Sequence, residues 1–308
     1  MKYIQLIRWP NLVIIAATML LVRYFVVWPG LSPFGADAIT PVPLFLLLVL
    51  SFVLLASAGY VINDIAVTDV DSINKPNKVL VGRSISFKNA YNLYYFLNGL
   101  VVAISLFLGY MLHSWRLSMI ILMMIGLLWF YSKKYKRMNL IGNVVVAFAS
   151  SMALMIVWLS DFFYLSLQPE LFADASDAFP AITTTLMAYT LFSFLTSLIR
   201  EMVKDLEDME GDKRFGCKTF PVVAGKKTAK LAVIAVGFIL FILIAYWQFV
   251  LFQKTFFLTV GALVVTNTIL LYIMLRLFKS EEKEDFRFVA NAAKLLMISG
   301  MISMLFLA

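Results

Sequence analysis

The sequence predicts an all-α, polytopic membrane protein: a bundle of nine transmembrane helices. Three observations predict it. The 308 residues are 62% hydrophobic and only 14% charged, with a mean hydropathy of +0.90, whereas a soluble domain carries roughly 25% charged and about 45–50% apolar residues. Several apolar windows reach the ~18 residues that cross a hydrocarbon core about 30 Å thick. Strand-like alternation is absent, which favours helices over a barrel as the spanning elements.

The apolar windows fall at 10–28, 41–62, 88–112, 116–132, 140–163, 180–199, 229–252, 256–277 and 287–307. The first follows Lys2 and Arg8, as a signal peptide would. No small-residue cleavage site follows it and eight more windows do, so it reads as a retained helix. No short-period repeat and no long linker divides the chain, which reads as one integral-membrane domain over 1–308. Nine crossings place the termini on opposite sides. The loops near 63–87, 133–139, 200–228 and 278–286, with the N-terminal tail and flanking helix ends, hold all but four of the 26 lysines and arginines (Arg23, Arg116, Lys254 and Lys294). The opposite loop at 164–179 carries Glu170, Asp174 and Asp177 and no base. By the positive-inside rule the N-terminus and the basic loops are cytoplasmic, in an inner or plasma membrane.

The net charge of +8 therefore reports topology before any nucleic-acid partner. Lys294, inside the last window, can snorkel to the surface. The single cysteine, Cys217, excludes an internal disulfide and reads as an incidental thiol in a polar loop. The single histidine, His113, sits in a short loop and leaves little room for histidine-based catalysis.

Two acidic clusters follow even-numbered spans, and so share one membrane surface. In REMVKDLEDMEGDKRFGCK, beginning at Arg200, Asp205, Asp208 and Asp212 are spaced i, i+3 and i+7, with Glu201 one turn earlier. On a helix they form one stripe of like charges that needs a cation. Arg200, Lys204 and Lys213 can supply it, leaving only a solvated helix end; a divalent metal can supply it instead. In GYVINDIAVTDVDSINKPNK (59–78), Asp64 and Asp71 are seven residues apart, nearly eclipsed on a helix, with Thr68 between them and Asn63 adding a neutral oxygen. Carboxylates are the hard ligands of Mg²⁺, which bridges to substrate phosphates. Two such clusters facing one cavity, opening near the cytoplasmic side, can hold Mg²⁺ ions around a diphosphate.

Lys75, Lys78, Arg83, Lys136, Arg137, Lys204 and Lys218 are placed to hold its remaining oxygens, or to attract anionic lipid. The arrangement suits ionisation of an allylic diphosphate: metal and cations stabilise the departing diphosphate, and an aromatic-lined cavity shelters the carbocation. The chain has 27 Phe, 13 Tyr and 6 Trp, though most aromatics in such a bundle pack between helices or face lipid. A transporter is the competing class. Its site would lie near the midplane on interrupted helices, whereas here the acids cluster at helix ends.

With these residues laid out, the chain resembles the UbiA superfamily of intramembrane prenyltransferases along essentially its whole length. RWPN (8–11) resembles the family's entry to the first helix, which puts Arg8 and Asn11 near the substrate. NDIAVTDVDSINKPNK resembles the first metal motif, with Asn63, Asp64 and Asp71 matching. YSKKYKRMNLIGN (131–143) matches at Lys136, Arg137 and Asn143. KDLEDMEGDKRFGCKTFPVVAG resembles the second motif through Asp205, Asp208 and Asp212, then Lys218, Thr219 and Pro221. One departure stands out: the pattern asks for an aspartate four residues after Asn63, and the chain has Val67. Within the superfamily the motif flanks look most like the digeranylgeranylglyceryl phosphate synthase group.

The resemblance implies Mg²⁺-dependent transfer of a polyprenyl group, geranylgeranyl above all, from its diphosphate to a lipid-like acceptor such as a prenylated glycerol phosphate. It implies metal ligation by Asn63, Asp64, Asp71, Asp205, Asp208 and Asp212, with Asp64, Asp71, Asp208 and Asp212 catalytic. The substrate would be held by Arg8, Asn11, Lys78, Arg83, Lys136, Arg137, Asn143, Lys204 and Lys218. Val67 leaves three possibilities: a weakened or rearranged metal site, a relative with altered chemistry such as terpene cyclisation, or an inactive member. The alternatives to this transfer are a terpene cyclase or an aromatic prenyltransferase of the quinone pathway.

Overall fold

The computed structural model describes residues 1–307 apart from 75, 77 and 78, with the backbone but not the side chain of Arg137. Among the described residues, nine helices are long and apolar enough to cross a membrane, in the nine places the hydropathy expects. We label α1 (Trp9–Val22), α2 (Val42–Ala66), α3 (Thr68–Asn74), α4 (Phe87–Met111), α5 (Trp115–Lys133), α6 (Ile141–Leu165), α7 (Phe179–Arg214), α8 (Lys226–Gln253), α9 (Phe257–Lys279) and α10 (Lys283–Met304). The chain forms two compact units, residues 1–133 with 153–186, and residues 134–152 with 187–308.

In the first unit α2 packs against α1, α4 and α5. Proline near the start of α1 and of α2 suits a first turn, where the missing N–H has no helical partner anyway. Ser86 caps α4 by accepting the Asn89 N–H at 3.2 Å. Where α4 meets α5, Ser118 donates to the Ser105 carbonyl at 2.6 Å, and a Cβ at Gly109 would collide with the Ser118 hydroxyl. Small residues let helix backbones approach in this way when lipid removes the usual hydrophobic drive to associate. A cluster of Leu6, Ala58, Val61, Ile62, Ile65, Val81, Ile85 and Ala90 ties the N-terminal turn and the 80–86 loop to the end of α2 that carries Asn63 and Asp64.

The first unit also buries a charge pair. Arg23, at the start of a π-helical turn that continues α1 (Arg23–Val27), is 2% exposed and Asp161 on α6 is fully buried. Arg23 Nη1 lies 3.5 Å from Asp161 Oδ1, and the Thr40 amide donates to the same oxygen at 2.9 Å. Arg23 Nη2 donates to the Thr40 carbonyl, and the guanidinium sits 4.3 Å from the Phe45 ring centre. Arg23, one of the four bases outside the basic loops and N-terminal tail, thus has its counter-ion within the protein.

In the second unit α9 packs against α8 and α10 around Val233, Leu240, Ile244, Leu270, Ile273 and Val289. Lys230, 8% exposed, donates to the Ser280 carbonyl at 2.6 Å and to Glu281 at 2.7 Å. That hydrogen bond and the lysine charge hold the Glu281 carboxyl below its usual range. The next residue, Glu282, begins α10 with a reciprocal capping box to Asp285. The two devices fix the turn between the last two spans.

α7 is 36 residues long, about 54 Å at 1.5 Å per residue. Only its apolar part, 180–199, is matched to a core about 30 Å thick, so the turns from Arg200 to Arg214 project beyond it and carry the second acidic cluster.

Candidate active site

The first cluster forms where α2 ends. The structure corrects one expectation: Asp64 and Asp71 do not lie on one continuous helix. α2 stops at Ala66, and Val67, with φ −118° and ψ 14°, separates it from α3. The Thr68 hydroxyl donates back to the carbonyls of Asp64 at 2.8 Å and Ile65 at 3.3 Å, an arrangement that bends helices. Val67 itself is 4% exposed, so burying its isopropyl group holds the break in place. The seven-residue stacking of Asp64 over Asp71 assumed a helix that this break interrupts. Asp71 is half-buried on α3, and Asp69 points into the open.

Arg8 reaches Asp64 from the chain start, Nη2 to Oδ1 at 2.6 Å, with its guanidinium 4.9 Å from the Tyr60 ring centre. The Tyr60 hydroxyl accepts from Asn11 Nδ2 at 3.1 Å. Tyr60 escaped the sequence reading, although it precedes Asp64 by one helical turn, the spacing at which side chains meet. Arg8 adopts a left-handed backbone (φ 55°, ψ 52°), a conformation that costs a non-glycine residue about 1–2 kcal/mol. Strain of this kind persists where surrounding contacts over-determine it, and such places cluster at functional sites. Asn63, 8% exposed, lies 3.4 Å from Asp64 through its amide nitrogen. Arg8, Asn11, Asn63 and Asp64 are therefore brought together around the end of α2. Arg83 is exposed and donates to the Pro76 carbonyl at 2.7 Å. Lys75 and Lys78 lie outside the described residues.

The second cluster lies on the projecting end of α7. Asp205, Asp208 and Asp212 follow one another there as the spacing requires, the first two half-buried and Asp212 8% exposed. Asn143 donates to Asp205 Oδ2 at 2.9 Å, and the Thr219 hydroxyl donates to Asp212 Oδ2 at 3.0 Å. These two neutral donors aim the carboxylates without neutralising them. Cys217 follows the helix in a loop, where it is 5% exposed, with its N–H bonded to the Asp212 carbonyl at 2.9 Å. Lys218 is exposed beside it and Lys136 half-buried; the side chain of Arg137 lies outside the description. Glu207, which the sequence reading passed over, is 7% exposed and accepts from Arg287 of α10 at 3.0 Å.

Asn143 owes its place to Gly142. A Cβ there would stand 2.7 Å from the Tyr135 carbonyl oxygen and 3.2 Å from the Lys136 Cα. Backbone atoms cannot swing aside as a flexible side chain can. Gly142→Ala is therefore expected to destabilise the protein by about 1–3 kcal/mol and to lower activity by displacing Lys136 and Asn143. A thermal melt and a rate indistinguishable from those of the unaltered protein would refute this.

Among the described residues no group of three His, Cys, Asp or Glu side chains is gathered closely enough to hold a metal unaided. Mg²⁺ usually takes one or two carboxylates, with waters and substrate phosphates completing its shell. The oxygen donors present fit that mode.

Comparison with known proteins gives the chain's relatives. The model of the UbiA prenyltransferase family matches residues 17–298. The digeranylgeranylglyceryl phosphate synthase of Methanococcus aeolicus is 32% identical over 75% of this chain and 73% of that protein. The protein of that name from Sulfolobus acidocaldarius is 33% identical over 65% of this chain and 64% of its own length. Among solved structures, one from a study of digeranylgeranylglyceryl phosphate synthase in membranes has a TM-score of 0.65 at 24% identity, covering 99% of this chain and 96% of that one. A UbiA homologue from Archaeoglobus fulgidus, bound to GPP and Mg²⁺, has a TM-score of 0.60 at 17% identity, covering 99% of both chains. These likenesses establish the nine-helix membrane fold.

Proposed function

Because the chain belongs to the UbiA prenyltransferase family, we propose that it transfers a geranylgeranyl group, with Mg²⁺, from its diphosphate to a lipid alcohol bearing a glycerol phosphate. The observation that carries this reading is the projecting end of α7, where Asp205, Asp208 and Asp212 stand aimed by Asn143 and Thr219. The names of the synthases similar to this chain supply the acceptor class.

In this reaction the bond from C1 of the prenyl chain to the diphosphate oxygen breaks, and both electrons leave with the diphosphate. The acceptor hydroxyl oxygen then bonds to C1 and loses its proton. Bound Mg²⁺ supplies charge neutralisation for the leaving diphosphate. The chain's own groups do the rest. The groups that match the family's two acid motifs, Asn63, Asp64 and Asp71 and then Asp205, Asp208 and Asp212, would provide the metal-binding oxygens. Arg8, Lys78, Arg83, Lys136, Arg137, Lys204 and Lys218 contact the phosphate oxygens, while Asn11 and Asn143 orient their neighbours. Both acid clusters and the N-terminus face the cytoplasm, as the lysine and arginine distribution supports.

Purified protein given Mg²⁺, geranylgeranyl diphosphate and geranylgeranylglyceryl phosphate is expected to release diphosphate and yield a product heavier by one geranylgeranyl group, read by mass spectrometry. Absence of diphosphate release with every acceptor offered would sink the proposal. A cyclic hydrocarbon formed without acceptor would replace transfer by cyclisation.

A further inference from the structure

Glu201 was expected to extend the acidic stripe of Asp205, Asp208 and Asp212. The structure gives it different neighbours. Its Oε1 accepts from Arg200 Nη1 at 2.6 Å and from Lys204 Nζ at 2.6 Å, and Lys136 adds to the positive field at the same carboxylate. The side chain of Glu201 is 14% exposed, those of Arg200 and Lys204 17% and 26%. Hydrogen bonds with both partners charged are the strong ones, and one oxygen here anchors two of them. A carboxylate occupied in this way is a cation holder.

We propose that Glu201 is a positioning residue for the diphosphate: it pre-orders Arg200 and Lys204 as an anion-binding pair and does not itself ligate metal. The inference rests on the reading above, in which Lys204 contacts phosphate, and adds Arg200 to the contact set. Lysine and arginine lose much rotamer freedom when fixed, and ordering them before the substrate arrives removes that cost from binding. Lys204 also precedes Asp208 by four residues, the spacing at which an ammonium meets a carboxylate along a helix. The bond to Glu201, three residues earlier, holds the ammonium at 2.6 Å from a carboxylate oxygen of the preceding turn.

Two effects of removing Glu201 oppose one another. Deleting a negative charge strengthens the field felt by an anion, worth about threefold in affinity across a helix turn in water. Releasing two ordered cations costs about tenfold or more. Geometry should win, and the dependence of Lys204 on Glu201 is the sharper readout.

The test measures binding of inorganic pyrophosphate to the full-length solubilised protein, in EDTA and in Mg²⁺, for wild type, E201Q, K204Q and the double variant. The KM for geranylgeranyl diphosphate is read alongside. E201Q is expected to weaken pyrophosphate several-fold in both conditions and to raise KM by a similar factor, leaving the half-saturating Mg²⁺ concentration unchanged. K204Q should cost about tenfold in the wild-type background and less than threefold in E201Q. Equal costs of K204Q in the two backgrounds would overturn the inference, as would E201Q raising the Mg²⁺ requirement as an Asp208 variant does. Either result, with wild type still releasing diphosphate, removes only the role of Glu201. Wild type that neither binds pyrophosphate nor releases it from substrate removes both readings.

Discussion

Asp208→Asn lowers the rate of diphosphate release by about 10³-fold, the loss expected when a preorganised electrostatic contact to developing charge is removed. The change keeps the shape and one oxygen of the side chain, removes the charge and turns the other acceptor oxygen into an N–H donor. Asp208 lies mid-stripe on the projecting end of α7, half-buried, where the metal-binding carboxylate proposed above would act with little competition from water. Asp64→Asn, in the other unit, should fall in the same direction. Its carboxylate is held by Arg8 at 2.6 Å, so the substitution removes the charge that seats the arginine and that is proposed to bind metal. Asp69→Asn is the control: that side chain is exposed, and the variant should retain activity within about threefold. Steady-state diphosphate release at saturating Mg²⁺, normalised to folded protein, separates these cases. An Asp208→Asn enzyme within tenfold of wild type would remove this aspartate from the chemistry.

What could be read ahead of the structure follows from the range of the interactions involved. Nine helices were legible because a crossing segment is declared by its own composition over about 20 residues. The Asp205–Asp212 stripe was legible because α7 runs unbroken through it, so spacing converts directly into a face. The same arithmetic failed for Asp64 and Asp71, where a buried Val67 and the back-bonding Thr68 hydroxyl break the helix between them. Val67 still marks where this chain departs from the family pattern, and it now also marks the boundary of α2. Glu201 was legible as an acid but not as a cation holder, since that depends on which way Arg200 and Lys204 turn. Cys217 reads as a loop thiol from its polar neighbours and does lie in the loop after α7, while its burial there could not be read from those neighbours. The partner of Arg23 was wholly hidden: Asp161 is 138 positions away, and nothing local in either segment points to the other.

That hidden pair supports the second large prediction. Asp161→Ala leaves the Arg23 guanidinium, 2% exposed, without its counter-ion, and breaking a buried pair from one side costs about 3–5 kcal/mol. The remaining contacts, the Thr40 carbonyl and the Phe45 ring, do not neutralise the charge. Arg23→Met should be costly for the mirror reason, since it strands a fully buried carboxylate with only the Thr40 amide at 2.9 Å to solvate it. The double variant Arg23→Met/Asp161→Leu removes both charges and should return to within about 1 kcal/mol of wild type, because a well-packed apolar pair often replaces a buried ion pair without loss. The pair also leaves Arg23 Nε with no partner among the described residues, so it forgoes part of the hydrogen bonding that would offset its desolvation. Ionisable groups inside membrane segments ordinarily mark a functional path. Here the two charges join the turn after α1, the start of α2 and the end of α6, while the acids of the proposed first half-site lie at the opposite end of α2, 24 residues from Thr40 to Asp64. A structural staple therefore predicts lost stability in each single variant with diphosphate release per folded molecule preserved, and recovery of stability in the double. Unfolding titrations in detergent, paired with turnover of the folded fraction, measure both. If the singles unfold as wild type does, or the double is as unstable as their sum, Arg23 and Asp161 are not the staple the geometry describes.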